Sequence, residues 1–104
     1  MVAAHRGRAS AAPDAICNDP WALRLAGPEG ETLSRRWDAH SPSMVLWMAL
    51  RTRYLDDCVT RALDRGVRQV VILGAGLDTR AARLGRDGVR FFEVDQPASQ
   101  ADKR

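Results

Sequence analysis

Two glycines and a carboxylate carry the sharpest chemical signal in this sequence. Gly74-Ala75-Gly76 follows directly on the apolar run Val70-Val71-Ile72-Leu73, and Asp95 stands twenty-one residues after Gly74. Glycine is needed where a chain turns sharply with positive φ and where a ligand approaches the backbone closely. An acidic side chain about twenty residues beyond such a turn can accept hydrogen bonds from both ribose hydroxyls of an adenosine-type cofactor. A dinucleotide fingerprint asks for a third small residue three positions after the second glycine. Here Thr79 holds that position, preceded by bulky Leu77 and charged Asp78. A carboxylate at the start of the following helix repels a pyrophosphate. An adenosyl ligand without phosphate fits better. S-adenosylmethionine is such a ligand, because its sulfonium and ammonium groups tolerate nearby carboxylates.

These residues need elements to position them. Four consecutive apolar residues at 70–73 predict a strand covered on both faces, as in a parallel sheet. Arg80 to Leu84 reads as a short helix with Asp78 or Thr79 as its cap, and Val89 to Val94 as a second strand. Helix, strand, glycine turn, helix and strand in this order make the first βαβ unit of an α/β fold. Upstream, Ser41-Pro42 opens the longest helical pattern, which runs to about Leu63. Met48, Thr52, Leu55, Val59 and Ala62 share one face of it, and Gly66 sits where a helix-ending glycine belongs. Asn18-Asp19-Pro20 predicts another helix start, with Asp19 as cap and Pro20 at the first helical position. Gly27-Pro28 ends that segment, and Thr32 to Asp38 forms a short helical stretch. Residues 1–15, rich in Ala, Arg and Ser without a period, read as a flexible leader. The expected organisation is a leader over 1–15, a helical segment over 16–66 and a βαβ unit over 67–104.

Composition bounds the rest. At 104 residues, 45% hydrophobic and 28% charged, the chain is the size and type of one small globular domain. Its net charge of +3 rests on fifteen arginines and one lysine spread along the chain, so the basic arm of a nucleic-acid binder is absent. Cys17 and Cys58 form no C-x-x-C pair and are expected as free buried thiols. His5 and His40 lack cluster partners, so they are expected exposed and no metal site is expected. Trp21, Trp37 and Trp47 are expected in packing rather than on bases. The longest apolar run, Met44 to Leu50, has seven residues, whereas a membrane span needs roughly twenty. With no apolar signal segment near the start, a cytoplasmic location follows by elimination.

The residues from Val70 to Leu84 (VVILGAGLDTRAARL) and from Phe92 to Pro97 (FEVDQP) resemble the leucine carboxyl methyltransferase family. Within it they are most similar to bacterial S-adenosyl-L-methionine-dependent methyltransferases related to polyketide O-methyltransferases. Arg51-Thr-Arg-Tyr-Leu-Asp56 and Asp19-Pro20-Trp21-Ala22 extend the resemblance, which covers about residues 18–97. It implies the N-terminal part of a Rossmann-like class I methyltransferase fold. It also implies methyl transfer to an oxygen of a small-molecule acceptor or a carboxylate. Gly74, Ala75 and Gly76 would line the methionine portion of the cofactor, and Asp95 would hold the ribose hydroxyls. Arg51 would pair with the cofactor carboxylate, with Arg53 as a rival for that role. Asp78 and Arg80 would cap and brace the turn. The remaining strands, the adenine-contacting segment and the acceptor pocket are expected beyond Arg104, so no catalytic residue is named. A two-stranded sheet leaves edges and faces uncovered, so the chain alone is expected to be marginal or aggregation-prone. The alternatives are a non-catalytic remnant serving as an interaction piece, and a fragment of a dinucleotide-binding oxidoreductase.

Overall fold

The computed structural model describes residues 1–103. Contacts divide the chain into two compact units, Met1–Leu55 and the residues from Asp56 onward. The division falls inside a helix, not at the change of composition after Gly66.

Three helices build the first unit: α1 (Val2–Ser10), α2 (Ala22–Trp37) and the first part of α3 (Met44–Asp64). The expected flexible leader is thus corrected, because residues 2–10 form a helix that packs on α2. Its small residues are the reason. Ala3, Ala4, Gly7 and Ala9 are buried, and a Cβ added to Gly7 would lie 2.6 Å from Leu23 Cγ and 2.7 Å from Leu23 N. Side chains this small give little periodic contrast in sequence yet let two backbones approach closely. The contact is fastened by Arg6, whose Nε donates to Asp19 Oδ2 at 2.6 Å, with the Asp19 side chain fully buried. Ser10 links the same region. Its hydroxyl donates to the Arg6 carbonyl at 2.8 Å and accepts from Asp19 N at 2.9 Å. Ala9, Cys17 and Ala49 form a small core, with Ile16 and Val45 against it.

Asp19 therefore does more than cap. Its Oδ1 accepts from Trp21 N at 3.2 Å, but α2 begins at Ala22, so Pro20 precedes the helix and does not open it. The expected break at Gly27-Pro28 is present as a kink: Gly27 has φ 69° and ψ 176° inside α2. His5 is also corrected. It is 1% exposed, because α1 is a packed helix and not a leader; its Nδ1 donates to Met1 O at 3.0 Å. His40 is exposed, and its ring meets Trp37 edge-on with centroids 5.9 Å apart. Trp21, Trp37 and Trp47 are each more than a third exposed, so none is a core residue, while Trp37 and Trp47 meet His40 and Arg51. Cys17 and Cys58 are free thiols, Cys17 buried and Cys58 half-buried.

The second unit contains the end of α3, β1 (Gln69–Leu73), α4 (Arg80–Arg83), β2 (Arg90–Val94) and α5 (Pro97–Lys103). Gly66, at φ 99°, ends α3 by turning the chain so that Val67 N donates to Ala62 O at 3.1 Å. β1 and β2 pair in parallel, with Val71 opposite Phe92 and Leu73 opposite Val94. This is the expected βαβ unit of an α/β fold. Coverage of the strands differs from expectation. Val70, Ile72, Phe91 and Glu93 are half-buried, whereas Val71, Leu73, Phe92 and Val94 are 57%, 77%, 44% and 52% exposed. The described residues cover one face of the sheet only, so a continuous apolar run alternates in burial. α5 is tied to β2 at Glu93, whose carboxylate accepts from Lys103 Nζ at 2.7 Å and whose carbonyl accepts from Gln100 Nε2 at 3.0 Å. Among the described residues no helix is long and apolar enough to cross a membrane.

Candidate functional site

The carboxyl ends of two parallel strands are where α/β sheets place ligands, because the connecting loops diverge there. At that end of β1 the chain turns through Gly74 (φ 62°), Ala75 and Gly76 (φ 48°). Both glycines occupy the left-handed region, which explains the residue type without any ligand. Gly74 N and Ala75 N donate to Val94 O at 2.7 and 3.2 Å, so the turn hangs from the last residue of β2. A Cβ added to Gly74 would meet nothing within 4 Å, so the turn leaves room for a group to approach its backbone.

Asp95, the next residue, reaches back to the same turn. Its Oδ2 accepts from Gly76 N at 2.6 Å, and its Oδ1 accepts from Gln96 N at 2.7 Å. The Gln96 and Gly76 amides hold the carboxyl below the ordinary aspartate range, with the Lys103 charge adding to the effect and desolvation opposing it. Four of the expected site residues, Gly74, Ala75, Gly76 and Asp95, are therefore brought together. An ionised carboxylate offers about four acceptor positions, of which the two amides take two. The other two match in number the hydroxyls of a ribose diol, so these residues fit an adenosyl cofactor.

Asp78 and Arg80 do what capping and bracing require. Asp78 Oδ1 accepts from Arg80 N at 2.8 Å, and its Oδ2 accepts from the Arg80 guanidinium. Thr79 at the N-cap makes no side-chain cap bond, so Asp78 is the capping group of the two candidates. Two further residues escaped the sequence reading. Asp56 accepts from Arg80 Nε at 2.9 Å and from Arg83 Nη1 at 2.6 Å. Only the three-residue step from Arg80 to Arg83, which places both on one helix face, hinted at a shared partner. Arg51 and Arg53 belong to the first unit. Arg51 is exposed and lies over the Trp47 ring at 5.9 Å, while Arg53 Nη1 donates to Ile16 O at 3.3 Å. A separate hollow of about 360 Å³ is lined by Ala81, Phe91, Glu93, Gln100 and Lys103. Its charged side chains, Glu93 and Lys103, pair with each other.

The family described as leucine carboxyl methyltransferase matches residues 1–104. A protein of Mycolicibacterium gilvum is 46% identical over 112 residues, covering 93% of this chain and 36% of its own length. One of Mycolicibacterium vanbaalenii is 43% identical over 113 residues, covering 94% of this chain and 37% of its own. One of Streptomyces coelicolor is 41% identical over 109 residues, covering 93% and 37%. All three are provisionally named S-adenosyl-L-methionine-dependent methyltransferases. The chain spans a little over a third of the length of these relatives.

Proposed function

The chain belongs to the leucine carboxyl methyltransferase family, and from that premise we propose that it forms the front of an S-adenosyl-L-methionine site in a methyltransferase. The reaction in this reading is methyl transfer to an oxygen, on a small molecule or a carboxylate. The observation that carries it is the 2.6 Å bond between Gly76 N and Asp95 Oδ2 at the carboxyl ends of β1 and β2. It joins a charged acceptor to the glycine turn, and that pairing supports the reading.

Each residue then has a physical task. Gly74 and Gly76 let the methionine portion of the ligand approach main chain without a side chain intervening, and Ala75, which is buried, lines the turn between them. Asp95 accepts from the ribose hydroxyls with the lone pairs its two amides leave free. Because those amides favour the ionised form, Asp95 is a ready acceptor at neutral pH. When bound, the cofactor supplies an activated methyl group for an oxygen nucleophile, and the protein's part is alignment. The role of Arg51, or its rival Arg53, as partner of the cofactor carboxylate rests on the family resemblance.

Calorimetric titration of the 104-residue chain with S-adenosylhomocysteine tests this reading. Measurable binding is expected, weakened about 10- to 100-fold by Asp95→Ala through lost charge-assisted hydrogen bonds. Absence of binding at millimolar ligand, or competition by NAD without competition by S-adenosylmethionine, overturns it.

A further inference from the structure

We infer that Asp56 is a positioning residue for the glycine turn, acting through Arg80 and Asp78 to aim the Gly76 amide at Asp95. Its functional meaning rests on the cofactor reading above; its structural content does not.

α4 contains four residues, Arg80–Arg83, and makes no side-chain cap bond at Thr79. A helix of that length has no stability of its own, since nucleation costs more than one turn of hydrogen bonds returns. Something outside it must fix the path from Gly76 to Arg83. The side chains of Asp56, Asp78, Arg80 and Arg83 do this as a group, and they are only 14%, 13%, 13% and 9% exposed. Two carboxylates face two guanidinium groups, so the group is neutral as a whole. Asp56 is its centre: Oδ1 accepts from Arg80 Nε and Oδ2 from Arg83 Nη1. Arg83 in turn donates from Nε to Thr79 Oγ1 at 2.7 Å.

The group does more than hold α4. Arg80 bridges from Asp56 to Asp78 with the same guanidinium. Asp78 N then donates to Ala75 O at 2.8 Å, closing the turn from Ala75 to Asp78 around Gly76. A continuous series of contacts therefore runs from Asp56 through Arg80 and Asp78 to the peptide that presents Gly76 N to Asp95. Desolvated pairs of this kind have little tolerance for loss of one member, because the remaining charges stay buried. Removing Asp56 takes away the carboxylate that Arg80 and Arg83 share and leaves the Arg80–Asp78 pair without that anchor. Arg80 then reorients, and the Ala75–Asp78 turn loosens with it.

The test is a nuclear magnetic resonance comparison of the ligand-free chain with Asp56→Asn, a near-isosteric change that removes the charge. In the variant the Gly76 amide is expected to exchange with solvent about ten-fold faster, while amides in the middle of β1 and β2 keep their wild-type rates. The Asp95 carboxyl is expected to titrate nearer the ordinary aspartate value, and Asp56→Glu is expected to recover part of both signals. S-adenosylhomocysteine affinity falls in the same order: wild type, Asp56→Glu, Asp56→Asn. Unchanged Gly76 exchange and unchanged Asp95 titration in a folded Asp56→Asn chain overturn the inference. If that variant does not fold, Arg80→Gln replaces it; this leaves Asp56 paired with Arg83 but cuts the link to Asp78. An unmoved Gly76 signal there overturns the inference equally. Failure of the wild-type chain to bind S-adenosylhomocysteine removes the cofactor reading alone, because the ligand-free signals still decide the role of Asp56.

Discussion

Asp19 in the first unit and Asp95 in the second use the same carboxylate in opposite ways. Asp19 has a fully buried side chain and meets the Arg6 guanidinium at 2.6 Å. Asp95 is half-buried and is held by the backbone amides of Gly76 and Gln96. A guanidinium cancels a carboxylate's charge and ties it to the fold. Amides fix its position and favour its ionised form without neutralising it, so its charge stays available to a ligand. Arrangement around the group, not the group itself, separates a carboxylate that is consumed by the fold from one whose charge stays open to a ligand.

The largest test of that contrast is Asp19→Ala. It removes the buried carboxylate that meets the Arg6 guanidinium and should cost about 3–5 kcal/mol of the first unit's stability. Urea titration with hydrogen exchange at α1 and α2 amides reads the loss. Asp95→Ala should leave those amides at their wild-type protection while weakening S-adenosylhomocysteine. Equal losses of protection in both variants would break the contrast.

Two glycines sharpen it at the next level. Gly7→Ala drives a Cβ to within 2.6 Å of Leu23 Cγ and within 2.7 Å of its backbone nitrogen, and should cost about 1–3 kcal/mol by overpacking. Gly74→Ala meets no atom within 4 Å but forces an L residue to φ 62°, at a cost of about 1–2 kcal/mol. Thermal unfolding of the two variants measures both. A D-alanine at position 74, introduced by semisynthesis, should regain the lost stability because positive φ suits a D residue. No such recovery is expected at position 7, where space and not φ is limiting.

The smallest effect is in pH. Asp38 is held below the ordinary aspartate range chiefly by its hydrogen bonds from Arg8, and Asp95 chiefly by the Gln96 and Gly76 amides. Through this window the unfolded chain binds more protons than the folded one, so stability rises with pH. Both contributions are full above the ordinary aspartate value and disappear as pH falls through each lowered native value. Salt separates the two. At 1 M ionic strength the screening length is about 3 Å, so the Asp38 titration should move up toward its ordinary value while Asp95, held by backbone bonds, moves less. Carbon-detected titration of both carboxyls checks this, and equal movement would remove the distinction between side-chain and backbone support.

The legible parts of this protein were those with a local cause. Gly74 and Gly76 announced positive φ by residue type, and both have it. Gly66 did the same at the end of α3, whereas Gly27-Pro28, expected to end a segment, only kinks α2. Asp95 was legible from its distance to the turn, because a βαβ unit returns the chain to a parallel neighbour after a limited length. α1 was not legible, since an alanine- and arginine-rich segment has no periodic contrast until a partner covers one side. The burial of His5 followed from that partner. The open sheet face at Val71, Leu73, Phe92 and Val94 was also hidden, because an apolar run records what a strand can bury and not what is present to cover it.

The amino-acid sequence by itself determined the strand, glycine turn, short helix and second strand, together with the acidic residue at their end. Each depends on φ, on side-chain period or on a short return distance, and these act within a few residues or one crossover. Tertiary structure alone decided that Asp19 would be neutralised by Arg6 across thirteen residues, and that Asp56 would gather Arg80 and Arg83 across twenty-four and twenty-seven. No spacing rule predicts such pairs, because a charged side chain takes whichever partner the packed backbone brings within hydrogen-bond reach once water is excluded.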